Sequence, residues 1–304
     1  MSAHLTVLKH EAVDALLPSD GVYVDCTFGR GGHSREVLGQ LGESGRLIAF
    51  DRDEAAEQEA ASITDQRFTF VRGAFSQLEE KLAELELVGQ VDGVLMDLGV
   101  SSPQLDTPER GFSFRFDAAL DMRMDTSQGP TAAQWLAEAE LDDITYVLRT
   151  YGEERFARRI AKAIVEQRET KPIETTADLV AICERCVPKK ELGKNPATRT
   201  FQAIRIEINQ ELEELKQVLD SALKVLKPGG RLVVISFHSL EDRIAKQFIR
   251  KHSTPPSLPK SVPVQFETIS VPLKRIGKAV FASDEEVADN PRARSAVMRI
   301  AEKV

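Results

Sequence analysis

The 304-residue chain has little cysteine, few aromatic residues and no long apolar run. Its three cysteines cannot form a disulfide framework, and the CxxC spacing of Cys183 and Cys186 has no second pair to complete a zinc site. We therefore expect partly buried thiols and no metal centre. No apolar stretch approaches the ~18 residues of a membrane span, and the N-terminus lacks a basic head followed by an apolar core. Both absences predict a cytoplasmic protein.

Composition is that of a globular protein with room for two domains, with 42% hydrophobic and 29% charged residues. The net charge of −8 is unfavourable for a nucleic-acid-binding protein as a whole. Basic residues are nevertheless concentrated beyond the first hundred positions. They form three groups: Arg149, Arg155, Arg158, Arg159, Lys162 and Arg168; Arg185, Lys189, Lys190, Lys194 and Arg199; and Lys274, Arg275, Lys278, Arg292, Arg294 and Arg299. Each group is either a solvated face or part of a track for RNA phosphates.

The most informative segment is Gly21–Asp53. It contains an apolar strand, a glycine turn, a helix and a second apolar strand, at Val22–Cys26, Thr27–His33, Ser34–Leu41 and Arg46–Phe50. This order predicts the start of a doubly wound α/β sheet, in which ligands bind outside the carboxyl ends of the strands. Glycines permit close backbone approach, and a helix N-terminus presents unpaired N–H groups. Asp51 stands where an acid can hold two ribose hydroxyls, so we predict a nucleoside-containing cofactor.

The glycine turn departs from the dinucleotide fingerprint, because Ser34 occupies the position of its third small residue. With Asp25 included, the pattern Asp-x-Thr-x-Gly-x-Gly resembles the first motif of Rossmann-like S-adenosylmethionine-dependent methyltransferases. An ordinary strand-to-helix turn is the alternative interpretation.

A second motif, VDGVLMDLGVSSPQ, spans Val91–Gln104. Gly93–Met96 is typical of a buried parallel strand, and Asp97 follows it at the edge where ligands bind. Asp97, Ser101 and Ser102 are candidate catalytic residues, since a carboxylate and hydroxyls there could accept hydrogen bonds from an amine nucleophile. The alternative is a loop-capping acid followed by an ordinary turn.

The order of predicted elements indicates an insertion within the sheet domain. Phe68–Val71 is a third strand, and the next core strand after Met96 is Arg231–Ser236, preceded by the helix stop Lys227–Gly230. A periodic helix before it carries Ile208, Leu212, Leu215, Leu219, Leu223 and Leu226 on one stripe. A parallel crossover needs only a dozen residues, so the excess must be an inserted domain. We predict a cofactor domain of residues 1–105 and 206–304, with a helical substrate-recognition domain of residues 106–205 inserted.

The insert and the C-terminal tail have distinct patterns. Helical periodicity predicts three helices in the insert, at Leu136–Leu148, Phe156–Arg168 and Thr176–Val187. The tail begins near His252 with a proline-rich connector, and two closing strands are expected at Val264–Ile269 and Ser295–Ala301.

Taken together, the motifs resemble the bacterial S-adenosylmethionine-dependent methyltransferases that modify the N4 amine of a cytidine in small-subunit ribosomal RNA. The resemblance covers essentially the whole chain, at His4–Leu8 with Glu11–Val13, Asp25–Ser34, Asp51–Asp53, Asp97–Gln104, Arg110–Asp125, Asn195–Asn209, Ser236–Arg243 and Asn290–Arg299. One departure is Asp117–Leu120, where the family usually has Gly-Pro before the leucine; it removes no polar group.

The resemblance implies a Rossmann-like class I methyltransferase sheet, mostly parallel and doubly wound, with an inserted all-helical domain. It also implies S-adenosylmethionine as cofactor, held by Gly31, Gly32, His33, Asp51, Phe75, Asp97 and Gln104. The implied partner is small-subunit ribosomal RNA within an assembled or assembling subunit, and a homodimer is left open.

Candidate RNA contacts follow from the same motifs: Arg110, Phe112, Phe114, Arg115, Asn195, Arg199, Arg205 and His238. For Phe112 and Phe114 the alternative is packing inside the insert, and His238 could be structural. Two other functions remain open: a non-catalytic ribosome-binding factor that keeps the cofactor fold, and a nicotinamide-dependent oxidoreductase.

Overall fold

The structure is a computed structural model that describes residues 5–188, 195–255 and 270–304. It contains two compact units. Met1–Gly99 and Leu212–Val304 form the first, here called the sheet unit, and Val100–Glu211 form the second, here called the helical unit. The predicted insertion at residues 106–205 thus lies within the helical unit, which extends six residues further at each end.

The strands in chain order are β1 (Val22–Asp25), β2 (Arg46–Asp51), β3 (Phe68–Arg72), β4 (Val91–Asp97), β5 (Leu226–Ser236), β6 (Leu273–Phe281) and β7 (Val297–Lys303). They form one sheet in the order β3-β2-β1-β4-β5-β7-β6. β1 to β5 are parallel, and β7 is antiparallel to both β5 and β6. The prediction of a mostly parallel, doubly wound sheet is confirmed.

The helices in chain order are α1 (Lys9–Leu16), α2 (Gly32–Gln40), α3 (Glu54–Ala60), α4 (Leu78–Glu84), α5 (Ser102–Asp106), α6 (Ala132–Glu138), α7 (Leu141–Thr150), α8 (Ala157–Arg168), α9 (Thr176–Cys186), α10 (Thr198–Asn209), α11 (Glu211–Val225), α12 (Ser239–Ser253) and α13 (Asp284–Asp289). α5 to α10 belong to the helical unit.

Strand residues alternate between two apolar layers because successive side chains point to opposite faces of a sheet. Val24 and Val94 pack in a cluster with residues of α4, α11 and α12. Their neighbours Tyr23 and Leu95 pack in another cluster with residues of α1 and α2. Burial on both faces explains why β4 reads as a continuous apolar run rather than an alternating one.

The helical unit has its own core. Leu136, Ile144, Ile160, Ile164 and Leu179 are fully buried within it. An isolated antiparallel bridge between Ala119 and Thr175 ties the segment before α6 to the start of α9. The periodicity of the predicted helices reflects burial against one another.

Several predicted boundaries were wrong. The helix expected at Leu136–Leu148 is two helices, because Ala139 and Glu140 are extended, with ψ of 139° and 155°. The stripe from Ile208 to Leu226 is also divided, since Gln210 adopts a left-handed φ of 51° between α10 and α11. Leu226 opens β5, five residues before the predicted strand, so the Lys-Pro-Gly-Gly segment lies within a strand.

The C-terminal strands also differ from expectation. The strand expected at Val264–Ile269 lies outside the described residues, and β6 at Leu273–Phe281 was not predicted. The final strand starts at Val297 rather than Ser295 and continues to Lys303.

Candidate active site

Asp25, at the end of β1, organises the glycine turn. Its carboxylate is 1% exposed and accepts hydrogen bonds from Ser34 Oγ at 2.7 Å and from Thr27 N at 3.0 Å. Burial raises the pKa of Asp25, and the hydrogen bonds from Ser34 and Thr27 partly offset this. Ser34 departs from the dinucleotide pattern, and the structure explains why a serine stands there. Its hydroxyl connects the start of α2 to the end of β1 by a hydrogen bond.

Glycine is required in the turn for conformation and for space. Gly31 precedes α2 in the left-handed conformation at φ 69°, and a Cβ there would lie 2.7 Å from the Phe28 ring. Gly32 begins α2, and a Cβ there would overlap Thr6 Oγ1. The turn thus places backbone without side chains next to the carboxyl end of β1, as predicted from the glycines in the sequence.

Asp51 at the end of β2 accepts two backbone hydrogen bonds. Gly29 N donates to its Oδ2 at 2.8 Å and Asp53 N donates to its Oδ1 at 2.9 Å. Burial raises the pKa of Asp51 to about 6, against the lowering effect of these bonds. Each carboxylate oxygen can accept a second hydrogen bond, so the group remains able to hold a ribose diol.

Phe75 lies in a single 3-10 turn, Phe75–Gln77, that follows β3. Its ring is half-buried against the main core, and the Arg52 guanidinium lies 5.7 Å from the ring centroid. Arg52 also pairs with Glu214. These contacts hold the ring at the same sheet edge as Asp51, in a position suited to an adenine wall.

Asp97 lies at the end of β4, at the same sheet edge as Asp25 and Asp51. Its backbone N–H donates to Thr27 Oγ1 at 2.7 Å, while its buried Oδ1 accepts no hydrogen bond from the described residues. The pKa of Asp97 is raised well above its ordinary value, chiefly by burial and further by the charges of Asp25 and Glu241. A buried carboxylate oxygen without a donor indicates a site for a ligand.

His33 supports Asp97 from α2. It is 4% exposed, its Nε2 lies 3.1 Å from the Val7 carbonyl oxygen, and its Nδ1 lies 3.6 Å from Asp97 Oδ2. The side chain is therefore held inside the fold beside Asp97, and its role as a cofactor contact stays a prediction.

His238 and Glu241 stand at the carboxyl end of β5. Glu241 is 2% exposed, accepts a hydrogen bond from Phe237 N at 2.8 Å, and approaches His238 Nε2 at 3.1 Å. His238 is the N-cap of α12. The sequence reasoning included His238 but missed Glu241, although an acid three residues after a helix N-cap is a recognised capping signal.

Ser101, Ser102 and Gln104 begin the helical unit. Ser101 is the N-cap of α5, and Gln104 Oε1 accepts a hydrogen bond from Ser101 N at 2.9 Å. Gln104 is 4% exposed. Ser101 and Gln104 form a capping box at the start of this short helix, of which Ser102 is the first residue, and the box fixes the loop that follows Asp97 in the chain.

The predicted RNA contacts near Arg110 divide into buried and exposed groups. Phe112 is 6% exposed in the core of the helical unit, and Phe114 packs edge-on against Phe201 with centroids 5.5 Å apart. Arg110 donates to the carbonyls of Arg123 and Met124 at 3.0 and 2.9 Å. Both phenylalanines thus pack in the insert, the alternative left open above, whereas Arg115 is exposed.

The candidate RNA contacts later in the chain, Asn195, Arg199 and Arg205, belong to the helical unit, and two of them form hydrogen bonds within it. Arg205 makes a bidentate pair with Glu211 at 2.8 and 2.9 Å, and Asn195 Oδ1 accepts a hydrogen bond from Ala197 N at 2.8 Å. Arg199 is half-buried on α10. The other basic positions of this region, Lys189, Lys190 and Lys194, lie outside the described residues.

The cysteines are buried, as expected. Burial raises the pKa of Cys183 to about 12 and also raises that of Cys186. Such thiols are poor nucleophiles and poor metal ligands.

Among the described residues, no helix is long and apolar enough to cross a bilayer.

Comparisons with known proteins show which family this chain is similar to. Residues 1–304 match the sequence profile of the MraW methylase family. A protein of Dechloromonas aromatica named ribosomal RNA small subunit methyltransferase H is 57% identical over 305 residues, covering 100% of this chain and 99% of its own. A protein of the same name from Shewanella baltica is 57% identical over 306 residues, covering 99% and 98%. A solved rRNA methylase from Streptococcus thermophilus aligns over 99% of both chains at 12% identity and a TM-score of 0.40, too weak to add to the comparison.

Proposed function

The chain belongs to the MraW methylase family, and from this premise we propose that it transfers a methyl group from S-adenosylmethionine to the N4 amine of a cytidine in small-subunit ribosomal RNA. The 57% identity to proteins named for small-subunit ribosomal RNA methylation, over nearly their full length, supports the substrate class. The donor-less buried oxygen of Asp97 is the observation in the structure that carries the proposal.

The residues present fit the proposed cofactor. Gly31 and Gly32 have no side chains that would keep a ligand away from the backbone at the start of α2. Each carboxylate oxygen of Asp51 can accept a further hydrogen bond, and Phe75 has an aromatic ring that can stack on a base. When bound, S-adenosylmethionine supplies an electrophilic methyl group on a sulfonium. The predicted contacts at His33 and Gln104 rest on the family resemblance.

Charge favours a cationic cofactor over a dinucleotide. Asp25, Asp97 and Glu241 are close enough to raise the pKa of Asp97 through mutual repulsion. A sulfonium or ammonium group would relieve that repulsion, whereas the pyrophosphate of a nicotinamide dinucleotide would add to it. The nicotinamide-dependent oxidoreductase is therefore disfavoured.

Asp97 is the proposed catalytic residue. The exocyclic amine of cytosine is a poor nucleophile because its lone pair is delocalised into the ring. A carboxylate that accepts one amine N–H favours the pyramidal nitrogen needed for attack, and a raised pKa makes that carboxylate a better proton acceptor. Ser101 and Ser102, four and five positions further along the chain, remain candidate acceptors.

The helical unit is the proposed substrate-recognition domain, with the exposed Arg115 and the half-buried Arg199 as its first residues to test. Because the target is embedded in RNA, we propose that the cytidine leaves its stack to reach Asp97. An enzyme with this substrate acts where ribosomes assemble, so we propose a cytoplasmic location.

Tritiated S-adenosylmethionine tests the function. The protein would be given unmodified small ribosomal subunits, naked ribosomal RNA and transfer RNA, and the RNA would then be digested to nucleosides. Label in N4-methylcytidine from the ribosomal samples is expected, and the preferred form of RNA identifies the stage of assembly. Cofactor binding without transfer to any sample would contradict the proposal and favour a non-catalytic ribosome-binding factor.

Asp97→Asn tests the catalytic assignment. The amide has nearly the same shape but cannot accept a proton, so we expect transfer to fall at least ~100-fold with little change in melting temperature. Asp289→Asn, at an exposed position on α13, is the control and should retain full activity. Full turnover by Asp97→Asn would show that the carboxylate is not required.

A further inference from the structure

A groove of about 650 Å³ lies between α12 and the sheet-edge strand β6, within the sheet unit. Six of its lining side chains are cationic and none is acidic: Lys246, Arg250, Lys274, Arg275, Lys278 and Arg299. Ile249 and Leu273 form part of its apolar floor. Such a concentration of positive charge is unexpected in a protein with a net charge of −8.

Most of this positive charge is not neutralised. Arg299 makes a bidentate pair with Asp242 at 2.6 and 3.0 Å. The other five cations form no ion pair and no hydrogen bond with any described residue, and all five are exposed. Unpaired cations that converge on a concave surface attract polyanions, because the field is strengthened in a groove.

Protection of the sheet edge does not account for the whole set. Lysines on an edge strand discourage pairing with other chains, which could explain Lys274 and Lys278. Lys246 and Arg250, however, lie one helical turn apart on α12, where no strand edge needs protection. Two elements thus contribute charge to the same groove, as expected for a binding site.

We propose that this groove binds the phosphodiester backbone of the RNA substrate as an anchor remote from the site of methyl transfer. The proposal rests on the function proposed above and adds to it a specific contact surface. Each lysine or arginine that meets a phosphate releases a counterion, so the groove would contribute salt-dependent affinity that does not depend on base sequence.

The groove is too far from Asp97 to take part in chemistry. β6 is three strands from β4, which corresponds to about 14 Å at the usual strand spacing. Arg275 pairs in register with Ala301, which pairs with Leu232, three residues before Ile235, the partner of Asp97 on β5. For Arg275 that adds about 10 Å along the strands. Loss of the anchor should therefore raise the KM for RNA and leave kcat nearly unchanged.

Paired substitutions test the anchor. Lys246→Gln with Arg250→Gln removes two charges from α12, and Lys274→Gln with Lys278→Gln removes two from β6. For each pair we expect RNA affinity at about 0.1 M salt to fall roughly tenfold, and the slope of log affinity against log salt to decrease by about 1.4. Lys246→Gln alone should decrease the slope by about 0.7. Lys251→Gln, which removes one charge from the same helix outside the groove, is its control and should leave the slope unchanged.

The outcomes separate this proposal from the proposed function. A wild-type protein that neither binds nor methylates ribosomal RNA would contradict the function itself. A wild type that methylates, with groove variants that keep its KM and salt slope, would overturn the anchor alone. Aggregation of the β6 variants at unchanged RNA affinity would assign those lysines to edge protection and also overturn the anchor. Melting curves for each variant confirm that it is folded.

Discussion

Cofactor affinity should depend on pH through Asp51. The pKa of this carboxyl is raised to about 6, mainly by burial. Ribose hydroxyls donate hydrogen bonds, so they favour the ionised carboxylate that accepts them. A bound nucleoside therefore lowers the pKa of Asp51, and affinity must rise as pH increases through the value of the free protein.

The size of the effect follows from the fraction of ionised Asp51. With a pKa of about 6, roughly 10 in 11 molecules are ionised at pH 7 and roughly 1 in 11 at pH 5, so affinity should change about tenfold. Asp51→Asn removes the titrating group and also weakens binding at pH 7 by about 10- to 100-fold, through loss of a charge-assisted hydrogen bond.

Equilibrium dialysis with labelled S-adenosylmethionine measures both effects between pH 5 and pH 7. The quantity to compare is the difference in pH dependence between wild type and Asp51→Asn, because any contribution of the raised pKa of Asp97 is present in both proteins. Wild type should lose about tenfold more affinity on acidification than Asp51→Asn. An equal change in the two proteins would refute the assignment of Asp51 to the ribose, and melting curves at each pH would exclude unfolding as the cause.

Four further predictions concern cofactor binding, stability and reactivity. Gly32→Ala should abolish cofactor binding, because the new Cβ overlaps a threonine side chain; Gly39→Ala, in the same helix with open space around it, should stabilise the protein by ~0.5–1 kcal/mol in thermal unfolding. Asn209→Ala should lower the stability of the helical unit by ~2–4 kcal/mol, since the amide makes three hydrogen bonds while 5% exposed; an unchanged urea midpoint would contradict this. Cys183 and Cys186 should react with a thiol reagent only after denaturation, and rapid labelling of the native protein would show that the helix opens locally.

The sequence predicted the sheet well where periodicity and strand ends were informative. β1, β2, β3 and β4 were located within one or two residues at most boundaries, because parallel strands buried on both faces are continuous apolar runs. Periodicity could not locate the break at Ala139 and Glu140, since apolar positions on both sides continue the same helical spacing. It also missed the start of β5, because Lys-Pro-Gly-Gly is more typical of a helix stop than of a strand.

Candidate site residues could be chosen from the sequence by their place at a strand end, and the roles assigned to them stay predictions. Asp51 and Asp97 were found in this way, and both carboxyls have raised pKa values. Asp25 was noted but its partner Ser34 was counted only as a mismatch, because a hydrogen bond across nine residues leaves no periodic signal. Glu241 was missed since its effect on Asp97 depends on the three-dimensional proximity of β4 and α12.

The insertion between β4 and β5 has a consequence for synthesis of the chain. β4 ends at Asp97, and its neighbour β5 begins only at Leu226, after the whole helical unit has been made. At ~5–20 residues per second, the ribosome needs roughly 6 to 25 s to produce that stretch. During this time β4, with its apolar Val94 and Met96, is an open strand edge in the nascent protein. The helical unit, whose core is complete before β5 appears, can fold first, and completion of the sheet waits for the C-terminal quarter of the chain.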